Sequence, residues 1–551
     1  MKKYLEQKIL EALTSLSYTD TIPTLERPKL EQHGDVTTNV AMVLARKAGK
    51  NPRAIAEEIV NALRFDPGTV TNVEIAGPGF INFRFSGLFF TRGIGDILKQ
   101  SETFGRTAEG RKKKTQVEFV SANPTGPLSV GHGRQAAIGD TIATLLEWTG
   151  HEVTREYYYN NAGRQMRKLA ESTYARYRQL FDPLAPFPED GYQGEYIRVI
   201  AEELKRSQGD RLLSMPDEEA LEVCKGASEA ALFEAIRKVL ARMNVRFDVF
   251  FNEDSLYTSG ALDDVVSELR TKGLAYDKDG AVWFKATALG LEQDRVMIKS
   301  TGEPTYRLPD IAYHREKFRR GFELVVDVFG ADHIATIPDV LAGIQALGYD
   351  KTRVKVVIHQ FVTLLRDGQQ VKMSKRQANF VTLEELIDEV GPDAVRFFFI
   401  MRSISSHLEF DLNLAKEQSE KNPMYYLQYA HARIASILRF AESEGVLTAQ
   451  EQNRFATADV SLLKEESEVA LAKLLMEFPD IVLSSCMSFE PHRLPGYLGD
   501  VATAFHKFYH DHRVVVPERD LSLARLALCR AAQIVLANGL KILGISAPER
   551  M

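Results

Sequence analysis

Leu5, Ile9, Leu13 and Leu16 recur at three- and four-residue steps, the spacing of one helical face, so an amphipathic helix is expected at the start of the chain. Two more helices are expected over residues 39–47 and 52–63. The second has Pro52 in its first turn, where the missing N–H has no helical partner to lose. Between Val70 and Phe85 apolar and polar positions alternate on either side of Gly77-Pro78-Gly79, the pattern of two strands around a turn. The run Arg111-Lys112-Lys113-Lys114 marks a boundary and reads as a solvated linker in preference to a dedicated phosphate patch. Beyond Thr115 the period changes. An apolar run at 116–120, a Pro/Gly-rich loop (SANPTGPLSVGHG), a helix from near Arg134 carrying Ile138, Ile142, Leu145 and Leu146, and a strand at 152–157 form one β-α-β unit. Residues from about 165 to 300 mix amphipathic helix (218–243) with short strands (281–285, 294–299) and read as insertions. Strand patterns return at 324–329 and 354–358 with a helix at 338–347 between them. After about residue 395 only helical patterns remain, at 425–441, 462–478 and 522–543.

The fold class expected is α/β and multidomain. A Rossmann-type doubly wound parallel-sheet domain (111–395) follows an N-terminal α+β domain (1–110) and precedes an all-α C-terminal domain (396–551). There is no internal repeat and no low-complexity tract. The 551 residues suffice for several domains, and with 44% hydrophobic and 26% charged residues the chain can bury a large core. Lys and Arg number 69 against 75 Asp and Glu, a net charge of −6, so no global basic field points to nucleic acid, although local patches remain possible. Cys224, Cys486 and Cys529 are odd in number and form no CxxC pair or zinc spacing, which suits a reducing compartment. The opening segment carries charges through its apolar positions and does not read as a secretory leader. No stretch approaches about 18 uncharged apolar residues, so no membrane span is expected. Cytoplasmic localisation is expected.

The loop between the first strand and helix carries the first candidate chemistry. Helix-start N–H groups bind anions, and Gly126, Gly131 and Gly133 would let a nucleotide approach the backbone, with His132 able to donate to a phosphate oxygen. Alone, such glycines serve turn geometry as often as phosphate binding. A second polar loop, Lys372-Met373-Ser374-Lys375-Arg376, follows a hairpin signal at Asp367-Gly368. Its three cations could clamp a nucleotide where negative charge develops during transfer at phosphorus. The pair SVGH (Ser129-Val130-Gly131-His132) and KMSKR resembles the HIGH and KMSKS signatures of class I aminoacyl-tRNA synthetases. EFVSANPTGPLSVGHGR, TYRLPDIAYH, GADH, AGPGFINFRF, NPMYYLQYAHAR and SAPERM, in that order, are similar to strings of the bacterial arginyl-tRNA synthetases along essentially the whole chain.

That resemblance implies ATP-dependent activation of L-arginine to arginyl-adenylate, with Mg²⁺ accompanying the ATP. Transfer to the 2′-OH of the terminal adenosine of tRNA(Arg) follows. The enzyme is expected to be monomeric, with no tightly bound cofactor, no structural metal and no covalent intermediate. Catalytic roles carry onto His132, Lys372 and Lys375, and ATP contacts onto Ser129, Gly131, His132, Ser374, Lys375 and Arg376. Arginine contacts carry onto Glu118, Asn123, Tyr306, Asp310, Asp332 and His333. Of these, Asp310 and Tyr306 would face the guanidinium and Glu118 and Asn123 the α-amino and carboxylate end, since a planar fork of donors is matched by carboxylates and a hydroxyl. Transfer RNA contacts carry onto Phe80 and Asn82 at the elbow-binding domain and onto Tyr425, Gln428, Tyr429, Arg433 and Met551 in the anticodon-binding domain. Some family enzymes bind tRNA before they activate the amino acid. The chain departs from the family pattern at Ser129, where a histidine is usual, at Arg376, where a serine is usual, and at Gly133, which is expected to loosen its turn. A class I synthetase for glutamine or cysteine, and a non-catalytic tRNA-binding paralogue, are the competing readings. His506, His510 and His512 include an i,i+4 pair but no accompanying ligand set, and read as a helix face and not a metal site.

Overall fold

The computed structural model describes residues 1–18, 20–28, 30–371, 381–447 and 455–551. In the N-terminal part, helices Lys2–Ser15, Val40–Ala48 and Pro52–Ala62 cover an antiparallel sheet. Its strands run in the order Leu25–Glu26, Val36–Thr38, Phe80–Phe85, Val70–Ala76. Leu5, Ile9 and Leu13 are buried as the spacing predicts, and the two strands expected around Gly77-Pro78-Gly79 pair antiparallel.

The central sheet has five parallel strands: β1 (Lys114–Glu118), β2 (Glu152–Tyr159), β3 (Val249–Asn252), β4 (Leu324–Gly330) and β5 (Val354–His359). Their order is β5-β4-β1-β2-β3, so the winding reverses between β1 and β4. Crevices at such a reversal, beyond the carboxyl ends of the strands, are where open α/β sheets bind ligands. The register sets Glu118 beside Asp327 at the end of this pair. Val117, Val325, Val326 and Val328 are fully buried, as expected of strands covered on both faces. Helix α1 (Val130–Trp148) covers one face, and α2 (Arg307–Arg319) leads into β4.

The first strand ends two residues before its expected limit, because Val120 and Ser121 take left-handed φ of 68° and 44° and turn the chain into the loop. Residues 163–242 form three helices with a core of their own, including Met166, Tyr177, Ile197 and Leu232. A three-stranded antiparallel sheet (Ala275–Lys278, Ala281–Phe284, Arg295–Ile298) follows. After β5 a small sheet joins Val362–Arg366, Gln369–Gln370 and Leu408–Asp411. The hairpin turns at Asp367 and Gly368, both at positive φ (52° and 73°), the geometry that makes Asp-Gly a hairpin signal.

The expectation of helices alone beyond residue 395 is corrected by the strand Leu408–Asp411, which pairs back onto Val362–Arg366; from Pro423 onward the described residues form only helices and connections. They include α3 (Pro423–Ser443), α4 (Arg493–Asp511) and α5 (Arg519–Leu543), with Glu466–Leu475 and Phe478–Ser488 between α3 and α4. The single helix expected over 462–478 is corrected to these last two. Pro479 occupies the first turn of the second helix, where its ring is accepted, and it cannot continue the first. Helix α5 is long and apolar enough to cross a bilayer by length and composition, but Arg525 and Arg530 interrupt it, in keeping with the expectation of no uncharged apolar stretch of about 18 residues. It is the buried centre of the helical domain. All three cysteines are buried, and burial pushes the Cys224 and Cys529 thiols up to about 12.

Candidate functional site

A cleft of about 940 Å³ opens at the reversal between β1 and β4. Its lining includes Glu118, Asn123, Ser129, Gly131, His132, Tyr306, Asp310, Asp332 and His333, so the expected small-molecule residues that fall within the described chain share one cavity. Lys372, Ser374, Lys375 and Arg376 lie outside the described residues. The chain that follows them returns to the cleft. Val381 lines it, Thr382 forms a bridge with Ser129, and the Leu383 N–H donates to the Leu128 carbonyl at 2.8 Å.

Helix α1 begins at Val130, four residues ahead of the expected start, because Ser129 supplies a cap. The Ser129 Oγ accepts from the His132 N–H, while the Ser129 N–H donates to His132 Nδ1 at 3.2 Å. Ser129 therefore caps the helix, and its hydroxyl, accepting in the cap, still has a proton to donate. His132 Nδ1 is an acceptor, so the ring proton sits on Nε2. Gly131 has no atom closer than 3.7 Å to the place of a Cβ, which keeps the helix start open to a ligand. At Gly133 the expectation of a loosened turn is corrected. A Cβ there would lie 2.5 Å from Leu383 and 2.9 Å from Phe399, so the glycine permits tight packing of α1 on the elements behind it.

The amino-acid end is acidic. Asp310, one helical turn beyond Tyr306 on α2, is pushed up to about 7, chiefly by burial. The nearby Glu118 and Glu253 add to the rise, while His314 and Lys317 oppose it. Glu118 is already engaged. Lys317, fully buried, donates to Glu118 at 2.6 Å and to Asp327 at 2.7 Å, and the Ser121 hydroxyl donates to Glu118 at 3.0 Å. Burial works against the Lys317 charge, but the two carboxylates hold its pKa above the ordinary lysine value, and Lys317 in turn holds Asp327 well below the carboxylate range. His314 bridges Asp327 (2.9 Å) and the Asp310 carbonyl (2.8 Å). Glu253 faces the cleft with Tyr158 (2.7 Å), Asn160 (2.8 Å) and Tyr257 (3.3 Å) as donors. Glu253 and Lys317 were missed from sequence: the first lies in a stretch read as insertion, and the second is 199 residues from Glu118. Asn123 accepts from the Asn160 N–H at 2.9 Å and donates to Gln165 at 3.2 Å. Tyr306 is 89% exposed at the mouth of the cleft.

Asp332 and His333 stand exposed beyond β4, beside His359 at the end of β5. Burial pulls His359 down to about 4, so its ring is neutral, and its Nε2 is a buried nitrogen with no hydrogen-bond partner among the described residues.

Of the expected RNA contacts, Phe80 is 37% exposed beside the hairpin turn. Asn82 is buried in mid-sheet between Thr37 and Glu74, so the pair does not present a joint surface. On α3, Tyr425 and Tyr429 lie nearly parallel (7°) at 6.3 Å, and His506 of α4 continues the ladder from Tyr429 at 5.8 Å. Arg433 donates to the Tyr509 hydroxyl at 2.9 Å. The Gln428 amide points inward and donates to Asp393 (2.9 Å) and Ser546 (3.0 Å), which corrects its expected place on an RNA-facing surface. With His431 bonded to the Pro548 carbonyl and Arg439 to that of Glu549, Gln428 binds the terminal segment along α3 toward the exposed Met551.

Three family descriptions match the chain: an arginyl-tRNA synthetase N-terminal domain over residues 3–85, a class I (R) tRNA synthetase catalytic domain over 93–399, and a DALR anticodon-binding domain over 427–551. The arginine–tRNA ligase of Desulfotalea psychrophila is 51% identical over 554 residues, spanning 100% of this chain and 99% of its own. That of Salinibacter ruber is 50% identical over 571 residues, spanning all of both chains. The structure of the Thermus thermophilus arginyl-tRNA synthetase shares the fold, with a TM-score of 0.76 at 24% identity and full coverage of both chains.

Proposed function

Because the chain belongs to the arginyl-tRNA synthetases, and is an arginine–tRNA ligase of class I, we propose how its cleft divides the work. The arginine side chain enters the acidic end, where its guanidinium meets Asp310 and Glu253, with Tyr306 folding over it from the rim. Glu118, fixed by Lys317, and Asn123 take the α-amino and carboxylate end. ATP lies across the start of α1, its phosphates toward Gly131 and the Nε2–H of His132, and Asp332 and His333 form the polar rim beside it. Lys372, Ser374, Lys375 and Arg376 supply the cations that meet the charge developing on the α-phosphate and the departing pyrophosphate. Mg²⁺ arrives with the nucleotide. The arginine carboxylate attacks the α-phosphate, and the 2′-OH of the tRNA's terminal adenosine then attacks the adenylate carbonyl. Both steps depend on positioning and charge, so no nucleophilic side chain is required.

We assign Phe80 to the tRNA elbow and the Tyr425–Tyr429–His506 ladder, with Arg433 and Met551, to the anticodon. The domains follow the limits 1–110, 111–395 and 396–551, and the enzyme works as a cytoplasmic monomer. The observation that carries this reading is the half-buried Asp310, whose carboxylate has no ion pair among the described residues, beside Glu253 in the cavity that also holds the α1 start. Charging of bulk tRNA by the purified protein with each amino acid tests it. Arginine alone should be esterified. Charging with glutamine or cysteine in its place would refute the assignment.

A further inference from the structure

Among the described residues four arginines are buried: Arg134, Arg315, Arg396 and Arg525. Three of them face carboxylates. Arg315 reaches Asp264 and Glu268 (3.4 and 3.3 Å), Arg396 reaches Asp140 (2.7 Å), and Arg525 reaches Glu468 (2.7 Å). Arg134 has no carboxylate among the described residues, although it is wholly buried. Its partners are carbonyl oxygens. Nη1 donates to Gln360 (2.6 Å) and Ser406 (3.1 Å), and Nη2 to Ser403 (3.2 Å) and Ser406 (3.1 Å), with Phe361 at 3.5 Å from Nη1. Burial lowers its pKa only to about 10, so it is a cation at neutral pH. A buried charge without a counterion is expensive, and an apolar side chain would fill the space without that penalty.

The placement of this cation suggests its use. Arg134 is two residues beyond His132 on α1, and its carbonyl partners come from two other segments. Gln360 and Phe361 join β5 to the strand Val362–Arg366, while Ser403 and Ser406 lie just before the strand Leu408–Asp411. His359, Phe361 and Val362 line the cleft. The Gln360 carbonyl that takes Arg134 also takes His359 Nδ1, at 3.2 Å. The guanidinium thus fastens the wall formed by residues 359–362 to the helix that carries His132, and does so with a charge that no neighbouring acid cancels.

We propose that Arg134 is a positioning residue for the nucleotide end of the cleft. It fixes the Gln360–Phe361 backbone against α1 and adds an uncancelled positive charge behind the wall where the polyanionic triphosphate binds. This rests on the reading of that end as the ATP site. A neutral side chain of similar length would lose both functions, while lysine would keep the charge but lose the planar fork that reaches several carbonyls at once.

Equilibrium binding of ATP·Mg²⁺ and of arginine, measured separately on wild type, Arg134→Met and Arg134→Lys, tests it. Arg134→Met should weaken ATP at least tenfold and leave arginine binding within twofold, with Arg134→Lys in between. ATP binding within twofold of wild type in both variants, or equal losses for ATP and arginine, would overturn the proposal. If Arg134→Met fails to fold, Arg134→Lys still decides: a loss of ATP affinity alone supports the proposal, and wild-type affinity overturns it. Arginine-dependent pyrophosphate exchange by wild type checks the parent reading independently, since both binding measurements stand without turnover.

Discussion

On the proposed reading of the cleft, Asp310 sets its preference for a cation. Desolvated and flanked by Glu118 and Glu253, its carboxyl is pushed up to about 7. A guanidinium favours the ionised form, so below pH 7 arginine must displace the carboxyl proton. The KM for arginine should therefore rise as pH falls below 7, approaching tenfold per unit, and level off above it, while the KM for ATP stays flat by comparison. Asp310→Asn should raise the arginine KM by roughly 30-fold or more, the scale of about 2–5 kcal/mol for truncating one partner of a buried charge pair. Lys317 acts on Glu118 from behind. Lys317→Met leaves Glu118 and Asp327 facing each other without a counterion and should destabilise the fold by about 3–5 kcal/mol in denaturant titration. Asp310 and His132 were legible in the sequence because each sits in a short string with its own signature. Glu253 and Lys317 were not, because their meaning arises only when β1, β3 and α2 converge.

At the scale of elements, the start of α1 was misplaced for a physical reason. Glycines at 131 and 133 and prolines at 124 and 127 read as loop, yet Ser129 caps a helix that already includes both glycines. Gly133 belongs there because Leu383 and Phe399 occupy the space of a side chain. Ser129→Ala should cost about 1 kcal/mol of stability and shift His132, so that ATP affinity falls more than arginine affinity. Titration calorimetry with each ligand reads the difference. Four of the five parallel strands were found within a few residues because apolar runs mark a sheet covered on both faces; β3 was not, since Val249–Asn252 lies in the stretch read as insertion. The junctions between elements were not visible. Arg396 is an example, since its guanidinium donates to the Leu543 and Met243 carbonyls and to Asp140, joining α5, an insertion helix and α1. Nothing in the string surrounding Arg396 signals that convergence.

Over the whole molecule, the N-terminal part rests on the helical C-terminal part. Arg27 pairs with Glu477 (2.9 Å), Lys473 with Asp35, and Asn538 donates to the Ser101 and Phe104 carbonyls. The net charge of −6 is consistent with tRNA binding once the contacts are local. Residues 430–551 hold 13 Lys and Arg against 15 Asp and Glu, so on the proposed assignment of the Tyr425–Tyr429–His506 ladder to the anticodon, stacking counts for more than a broad field. Tyr429→Ala should raise the KM for tRNA about tenfold in aminoacylation, leaving the KM values for ATP and arginine unchanged.

The claim that joins these scales is that a half-buried carboxylate pair, Asp310 and Glu253, selects the positive charge of arginine. Citrulline matches arginine in shape and lacks that charge. Pyrophosphate exchange in the presence of tRNA, with arginine and citrulline offered separately to wild type and to Asp310→Asn, measures the claim directly. Wild type should activate arginine and not citrulline, and Asp310→Asn should lose most of its arginine activity. Comparable exchange with citrulline in wild type, or undiminished arginine exchange in Asp310→Asn, would contradict it.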